Sequence, residues 1–209
     1  MPTPQSQISA APSKPRGPRK KKPIPEYLSE EEVARLFRAI GNDARSQAIF
    51  HVIYYRGLRA SEIGKLRMED YRPALGRLFV RRLKGSHSGD FHITPAENAA
   101  LKRWLRVRGK EPGPLFLSRN AKPLSRWPVF ALMRRYCEAA GIAPEKAHPH
   151  ALKHSCGTHL SARQTDIVAI QDHLGHVNVQ NTMKYVQISS KRRDQFGESL
   201  DQSGWGSAR

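Results

Sequence analysis

The sequence has few cysteines and no long apolar segment, and these two absences exclude several classes of protein. Its 209 residues contain two cysteines, Cys137 and Cys156, which is too few for a disulfide framework. No apolar run approaches the roughly 18 residues that a membrane-spanning helix needs. No apolar segment follows the basic N-terminus, as it would in a secretory signal. We therefore expect a protein of the reducing cytoplasm.

Acidic residues are also scarce relative to basic ones. The chain has 36 lysines and arginines against 18 aspartates and glutamates, which gives a net charge of +18. This surplus fits a polyanionic partner, and nucleic acid is the commonest one because each phosphate contact releases counterions. Ribosome association, or basicity without a specific partner, is the alternative.

The first 25 residues contain no acid at all. They hold seven prolines and six basic residues, a composition that predicts a disordered arm. The rest of the chain still carries +12. The basic residues of the arm either follow a minor groove or a row of phosphates, or form a solubilising or localising tail. They are Lys14, Arg16, Arg19, Lys20, Lys21 and Lys22.

The body of the chain, residues 26–190, reads as one mostly helical α+β domain. Capping boxes at Ser29–Glu32 and Thr94–Glu97 predict two helix starts, and a third helix is expected over 43–56, ending at Gly57. Further helices are expected near Ala60, from Ser125 to Gly141, and over 149–163, 166–174 and 178–185. Between them, residues 77–84 and 90–93 alternate as a β-hairpin. Trp104 and Trp127 are expected in the core.

Two clusters in the C-terminal half could carry chemistry. Pro149 sits where a helix would begin, so His150 and Lys153 lie in its first turns, on one face, at an end that favours a bound phosphate. Gly175 ends the next helix and presents His176, and Tyr185 follows nine residues later.

Two further basic residues lie upstream of these clusters. Arg59 precedes a short helix, and Lys84 ends the first strand of the hairpin.

The motifs together resemble the catalytic domain of tyrosine recombinases, a family that includes phage integrases and Xer recombinases. Gly-Leu-Arg-Ala-Ser-Glu-Ile (57–63), the hairpin lysine, His-Ala-Leu-Lys-His (150–154), Leu-Gly-His (174–176) and a final tyrosine occur in the family's order. The likeness is greater still to the short recombinases of fimbrial phase variation. These share Phe-Leu-Ser-Arg (116–119), Pro-Leu-Ser-Arg (123–126), His-Pro-His (148–150) and His-Ser-Cys-Gly (154–157) with this chain. The match covers about residues 27–195.

The resemblance implies an enzyme that cuts and rejoins double-stranded DNA through a 3′-phosphotyrosyl link, in inversion, integration or excision. Such chemistry uses no cofactor, metal or ATP, because the covalent link conserves the energy of the phosphodiester bond. Its transition state needs fixed cations and hydrogen-bond donors around the scissile phosphate. The resemblance assigns phosphate binding to Arg59 and Lys153, a further donor to His176, transfer of the tyrosine proton to His150, the general acid to Lys84 and the nucleophile to Tyr185.

Lys153 departs from the family, which usually has arginine here. Arginine can hold two phosphate oxygens with its planar fork, whereas lysine offers one compact charge. Three interpretations stay open: a working natural variant, a weakened or inactive DNA-binding regulator that kept the fold, or an introduced substitution. A relaxing enzyme of the type IB topoisomerase kind shares this chemistry and is a further alternative.

The neighbours of these residues have expected roles of their own. Glu62 is expected to orient Arg59, and His154 to pack behind the site. Arg81 and Arg82 are expected to contact DNA. The alternative of a zinc site, built from the histidines and cysteine of residues 150–159, is disfavoured because the charge of Lys153 would repel a metal ion.

Larger assemblies follow from the resemblance as expectations. The family works as a tetramer on two duplexes, and the tail over 191–209 is expected to dock on a neighbouring subunit through Phe196 or Trp205. Fuller recombinases add an N-terminal helical domain that closes around DNA. Here either the basic arm takes its place or an accessory DNA-bending protein helps. A nucleoid-associated cytoplasmic location is expected.

Overall fold

A computed structural model describes residues 26–83, 85–163 and 165–186. These residues form eight α-helices, three single-turn 3-10 helices and three short strands. The helices are α1 (Glu30–Ile40), α2 (Ala44–Arg56), α3 (Ala60–Ile63), α4 (Pro95–Arg108), α5 (Arg126–Ala139), α6 (Pro149–Ala162), α7 (Ile167–Leu174) and α8 (Gln180–Val186); the strands are β1 (Tyr71–Arg72), β2 (Arg77–Val80) and β3 (Gly89–His92). The predicted mostly helical α+β fold with a small antiparallel sheet is confirmed.

The helix ends follow the local signals in the sequence. The Ser29 side chain accepts from the Glu32 N–H while Glu32 accepts from the Ser29 N–H, which completes the first predicted capping box. Thr94 and Glu97 do the same for α4, with Pro95 at its first position. Gly57 ends α2 with φ 55°, a left-handed conformation that costs a glycine little.

The sheet contains the predicted hairpin and one strand that was not predicted. β2 pairs antiparallel with β3, with Leu78 opposite Phe91, and on its other side with the two-residue β1. β2 ends at Val80, four residues before the predicted end. It ends there because the next backbone N–H groups donate to side chains and not to the neighbouring strand. The N–H of Arg82 donates to Ser88 Oγ, and that of Leu83 donates to Glu62.

The main core lies where α2 packs between α4 and α6 and where α1 packs on α5. Trp104 is buried there as predicted, stacks on Phe116 and donates to the Leu115 carbonyl at 2.9 Å. The prediction for Trp127 is wrong, since this side chain is 67% exposed. It lies in the first turn of α5, and the Arg126 guanidinium covers its ring at 4.6 Å.

A second, smaller apolar cluster contains the candidate nucleophile. Tyr185 is fully buried there with Cys156, Ile170 and Leu174. This cluster joins α6, α7 and α8, so the position of the tyrosine depends on the packing of all three helices.

Several predicted features lie outside the described residues. They are the basic arm with Lys14, Arg16, Arg19, Lys20, Lys21 and Lys22, the hairpin residue Lys84, and the tail over 191–209. Of the helices in the part of the chain that is described, none has the length and apolar character to cross a membrane.

Candidate active site

Arg59 is held at the start of α3 by a buried carboxylate. Its Nη1 donates to Glu62 Oε1 at 3.0 Å and to Ser86 Oγ at 2.9 Å. Glu62 is fully buried and also accepts from the backbone N–H groups of Arg59 and Leu83. Glu62 therefore orients Arg59, as predicted from the sequence, and ties it to the hairpin.

The turn of the hairpin also contacts the loop that carries His176. Ser86 forms an isolated antiparallel bridge with His176, and His87 N–H donates to the Gly175 carbonyl at 3.3 Å. The His176 ring is buried, with Nδ1 2.9 Å from Thr182 Oγ1. Burial, followed by the charge of Lys153, lowers the pKa of His176 to about 3, so its imidazole is neutral at physiological pH.

Lys153 points inward, whereas His150, which the sequence placed on the same helix face, is exposed. Its side chain is buried, and Nζ donates to the Gly57 carbonyl and, at 3.2 Å, to the Leu174 carbonyl. These carbonyls lie at the C-terminal ends of α2 and α7, where the helix dipole favours a cation. Burial, followed by the neighbouring charge of Arg82, lowers the pKa of Lys153 to about 7.

Replacing Lys153 by methionine should change how stability depends on pH. The unfolded chain keeps this lysine protonated to about pH 10.4, whereas the folded chain releases the proton near pH 7. The free energy of unfolding should therefore rise between pH 7 and 10, by up to about 1.4 kcal/mol per pH unit. Denaturant titrations at pH 7 and 9 should show this rise in the parent and lose it in Lys153→Met. An equal rise in both proteins would contradict the assignment.

Arg82 was expected to contact DNA, but its position argues against that role. Its side chain is buried and donates to the carbonyls of Arg56, Gly57 and His173. Its Nη1 also lies 3.7 Å from Glu62. The signal was present in the sequence, since Leu78 and Val80 face the core and strand alternation puts residue 82 on the same side.

Arg81, the other strand arginine expected to contact DNA, is paired with acids. Its guanidinium makes hydrogen bonds of 2.8 to 3.2 Å to Asp70 and Glu69. Its side chain is 42% exposed. Its charge is thus largely compensated within the protein, which weakens the case for a phosphate contact.

Tyr185 lies at the centre of the candidate site. Its ring stacks against His176 with 6.4 Å between centroids and 13° between planes. Its hydroxyl lies 2.9 Å from His154 Nδ1. Gly157 also lies against the ring, since a Cβ at this position would be 2.6 Å from Tyr185 Cε2. Burial raises the pKa of the phenol above its usual value.

His150 lies exposed in the first turn of α6, with its ring 5.8 Å from that of His154. The structure thus brings five of the six predicted catalytic residues to one region, and Lys84 lies outside the described residues. Sequence reasoning missed Ser86, Gly157 and Thr182. The composition of the hairpin turn, Gly-Ser-His-Ser-Gly, was the available signal for Ser86. A zinc site was disfavoured from the sequence, and the described residues contain no group of three or more candidate metal ligands.

Comparison with known proteins identifies the family of this chain. The model of the phage integrase family matches residues 26–192, which include every helix and strand described above. The chain belongs to the phage integrase family. One of the relatives below, XerA, is a tyrosine recombinase, and the expected family is confirmed.

Two relatives show how far the likeness extends. The type 1 fimbriae regulatory protein FimE of Escherichia coli K12 is 32% identical over 174 residues, which cover 79% of this chain and 87% of FimE. The tyrosine recombinase XerA of Pyrococcus furiosus is 35% identical over 180 residues, 84% of this chain. The match spans 62% of XerA.

A solved recombinase structure has the same fold. The XerH recombinase, in a post-cleavage complex with its difH substrate, superposes with a TM-score of 0.72 at 22% identity. The match covers 86% of this chain and 54% of XerH. The helices and small sheet described here therefore have the fold of the matched part of XerH.

Proposed function

We propose that this chain is a site-specific recombinase that cleaves and rejoins double-stranded DNA through a covalent 3′ link to Tyr185. The observation that carries the proposal is the convergence of separate elements on this one tyrosine. The hairpin turn contacts the loop of His176, His176 stacks on Tyr185, and the Tyr185 hydroxyl bonds to an imidazole of α6. The solved XerH complex, which contains its DNA substrate, supports DNA as the partner.

Arg59 is the residue best placed to bind the scissile phosphate. Within the described residues its hydrogen bonds to Glu62 and Ser86 both come from Nη1. A guanidinium has five donors, so Nε and Nη2 are available for two phosphate oxygens. The buried Glu62 fixes the fork before DNA arrives, which lowers the cost of organising it in the transition state.

Lys153 retains a smaller part in the proposed phosphate site. An ammonium group has three donors, and the carbonyls of Gly57 and Leu174 accept two of them. One donor remains for a phosphate oxygen, against the two that an arginine fork would supply. No observation on the described residues favours the alternative of an inactive regulator, and we propose a working enzyme.

The remaining roles are carried over from the resemblance. The resemblance gives His150, at the exposed end of α6, the transfer of the tyrosine proton, and it gives His176 the role of a further donor to the phosphate. Lys84 is proposed as the general acid that protonates the leaving 5′ oxygen. The tail over 191–209 is proposed to dock on a neighbouring subunit of a DNA-bound tetramer, and the basic arm or an accessory DNA-bending protein to complete the grip on the duplex.

The proposal is tested with a suicide DNA substrate that carries a nick a few nucleotides from the cleavage position. Cleavage then releases a short fragment with the free 5′-hydroxyl. Because this fragment diffuses away, rejoining is prevented and the covalent complex accumulates. Because the DNA target is unknown, candidate inverted repeats next to the coding sequence provide the substrates. We expect an adduct that survives denaturing electrophoresis in the parent and is abolished in Tyr185→Phe.

The matched control for this experiment is Tyr136→Phe. Tyr136 lies in α5, and the substitution removes a hydroxyl that donates to Asp43. It should form the adduct at the parent rate. DNA binding by the parent without any adduct would contradict the proposed enzyme and favour the regulator. Relaxation of supercoils without site preference would favour a topoisomerase.

A further inference from the structure

The hydroxyl of Tyr185 has a defined hydrogen-bond partner, and it is not the histidine expected from the resemblance. His154 Nδ1 lies 2.9 Å from the phenolic oxygen. The ring is confined by His176, whose plane is 13° from its own, and by Gly157, where a Cβ would lie 2.6 Å from Tyr185 Cε2. This packing keeps the phenolic oxygen within hydrogen-bond distance of His154.

His150, to which the resemblance assigns the proton, stands one step farther away. Its ring lies against His154 rather than against the tyrosine, in an edge-to-face arrangement with 5.8 Å between centroids. His150 is exposed, whereas His154 is partly buried. A path from the tyrosine to solvent thus runs from Tyr185 through His154 to His150.

The charges around His154 keep its imidazole in the form that can accept a proton. Burial is the largest cause of its lowered pKa, which is about 3, and the cationic or titratable neighbours Lys184, His150, Lys153 and His148 act in the same direction. At neutral pH the ring is uncharged. In the tautomer protonated at Nε2, the phenol donates to the free lone pair of Nδ1.

We propose that His154 is a catalytic residue that accepts the proton of Tyr185 when the tyrosine attacks phosphorus, an inference that rests on the proposed recombinase function. The phenolic O–H bond breaks and its proton moves to His154 Nδ1. The oxygen forms the bond to phosphorus, and the bond from phosphorus to the 5′ oxygen breaks as that oxygen takes a proton from the general acid. Rejoining runs the same transfers in reverse.

The exposed His150 ring, with its centroid 5.8 Å from that of His154, gives the accepted proton a route to solvent. Once Nδ1 is protonated, Nε2 can release its proton towards the exposed His150 and solvent. A group that held the proton firmly would slow the reverse step, in which the tyrosine must regain it. His154 then takes the proton directly from the phenol and His150 relays it to solvent, so the two histidines of the His-Ala-Leu-Lys-His motif have separate roles.

The test compares His154→Gln with the matched variant His150→Gln in single-turnover adduct formation on the suicide substrate. Glutamine at 154 can still accept the phenol hydrogen bond through its amide oxygen but cannot take the proton. We expect His154→Gln to slow the adduct by about 10²–10⁴-fold, the range of general base catalysis. A substrate with a sulfur at the bridging 5′ position, which leaves without an acid, should not restore the rate.

A lower phenol pKa should reduce the need for the base. Incorporation of 3-fluorotyrosine at position 185 should therefore raise the rate of His154→Gln by at least about tenfold, the factor that corresponds to one pKa unit. The same incorporation should not raise the rate of His150→Gln. Unfolding midpoints and DNA affinities are measured alongside. His154→Asn is used if the glutamine variant is unstable.

Two results would overturn the inference. One is a His154→Gln rate equal to or above that of the parent, which would make the hydrogen bond a resting contact that opposes reaction. The other is restoration by fluorotyrosine in His150→Gln but not in His154→Gln. A parent protein that forms no adduct would overturn the proposed function itself, which separates the two failures.

Discussion

Replacing Arg59 by alanine should slow formation of the covalent adduct by about 10²–10³-fold, the usual cost of losing one good donor to a developing oxyanion. The effect should be large because the guanidinium of Arg59 is already held in position before DNA binds. Glu62 is fully buried and holds Nη1 at 3.0 Å, while the Arg59 side chain remains 30% exposed towards the proposed phosphate position. Arg59→Lys keeps the charge but loses the planar fork, and it should fall between the parent and the alanine variant.

Single-turnover rates at saturating DNA measure this effect apart from binding. Arg106→Ala removes an exposed arginine from α4 and is the control for the loss of one positive charge. We expect it to leave the rate unchanged. A rate for Arg59→Ala within a few-fold of the parent would show that the phosphate is held by other groups.

Replacing Glu97 by glutamine should lower the free energy of unfolding by about 3–5 kcal/mol, because it leaves the Arg56 guanidinium buried without its counter-charge. Both side chains are buried, at 5% and 0% exposure. Two hydrogen bonds join them, one from Arg56 Nε at 2.9 Å and one from Nη2. Glu97 also completes the capping box of α4, so one carboxylate joins α2 to the start of α4.

Chemical denaturation at neutral pH tests this prediction, with Glu138→Gln as the control because Glu138 is exposed on α5. The control should change the free energy of unfolding by less than about 0.5 kcal/mol. A loss of similar size in both variants would contradict the importance of the buried pair. Because Arg56 lies at the end of α2, three residues before Arg59, Glu97→Gln is also expected to slow the adduct.

Local signals in the sequence predicted most of the helices. Capping residues at Ser29 and Thr94 and the left-handed glycine at 57 act within one helical turn, so they can be recognised without knowledge of the tertiary structure. β1 was missed because a two-residue strand has no periodicity of its own and is defined by its partner, Leu78 opposite Tyr71.

The candidate site was predictable as a set of residues but not as a geometry. Motif order identified Arg59, His150, His176 and Tyr185. Which histidine contacts the tyrosine depends on how α6 packs on α8, and the hydrogen bond from Tyr185 to His154 joins residues 31 positions apart.

The acceptors that hold Lys153 and Arg82 inside could not be predicted for a similar reason, although strand alternation did point residue 82 inward. Both cations donate to the backbone carbonyls of Gly57 and of the last turn of α7. These acceptors belong to the backbone at two helix ends, which carry no side-chain signature in the sequence. The resemblance predicted a phosphate contact for Lys153, and Arg82 was expected to contact DNA, whereas carbonyls at helix C-termini hold these two side chains inside.

The central claim is that DNA becomes attached to Tyr185, and the most direct measurement is the position of that attachment. The adduct from the suicide substrate is digested with trypsin and a nuclease, and the peptide that retains a nucleotide is sequenced by mass spectrometry. We predict a nucleotide joined through its 3′ phosphate to Tyr185. Attachment to any other residue, or through a 5′ phosphate, would contradict the account.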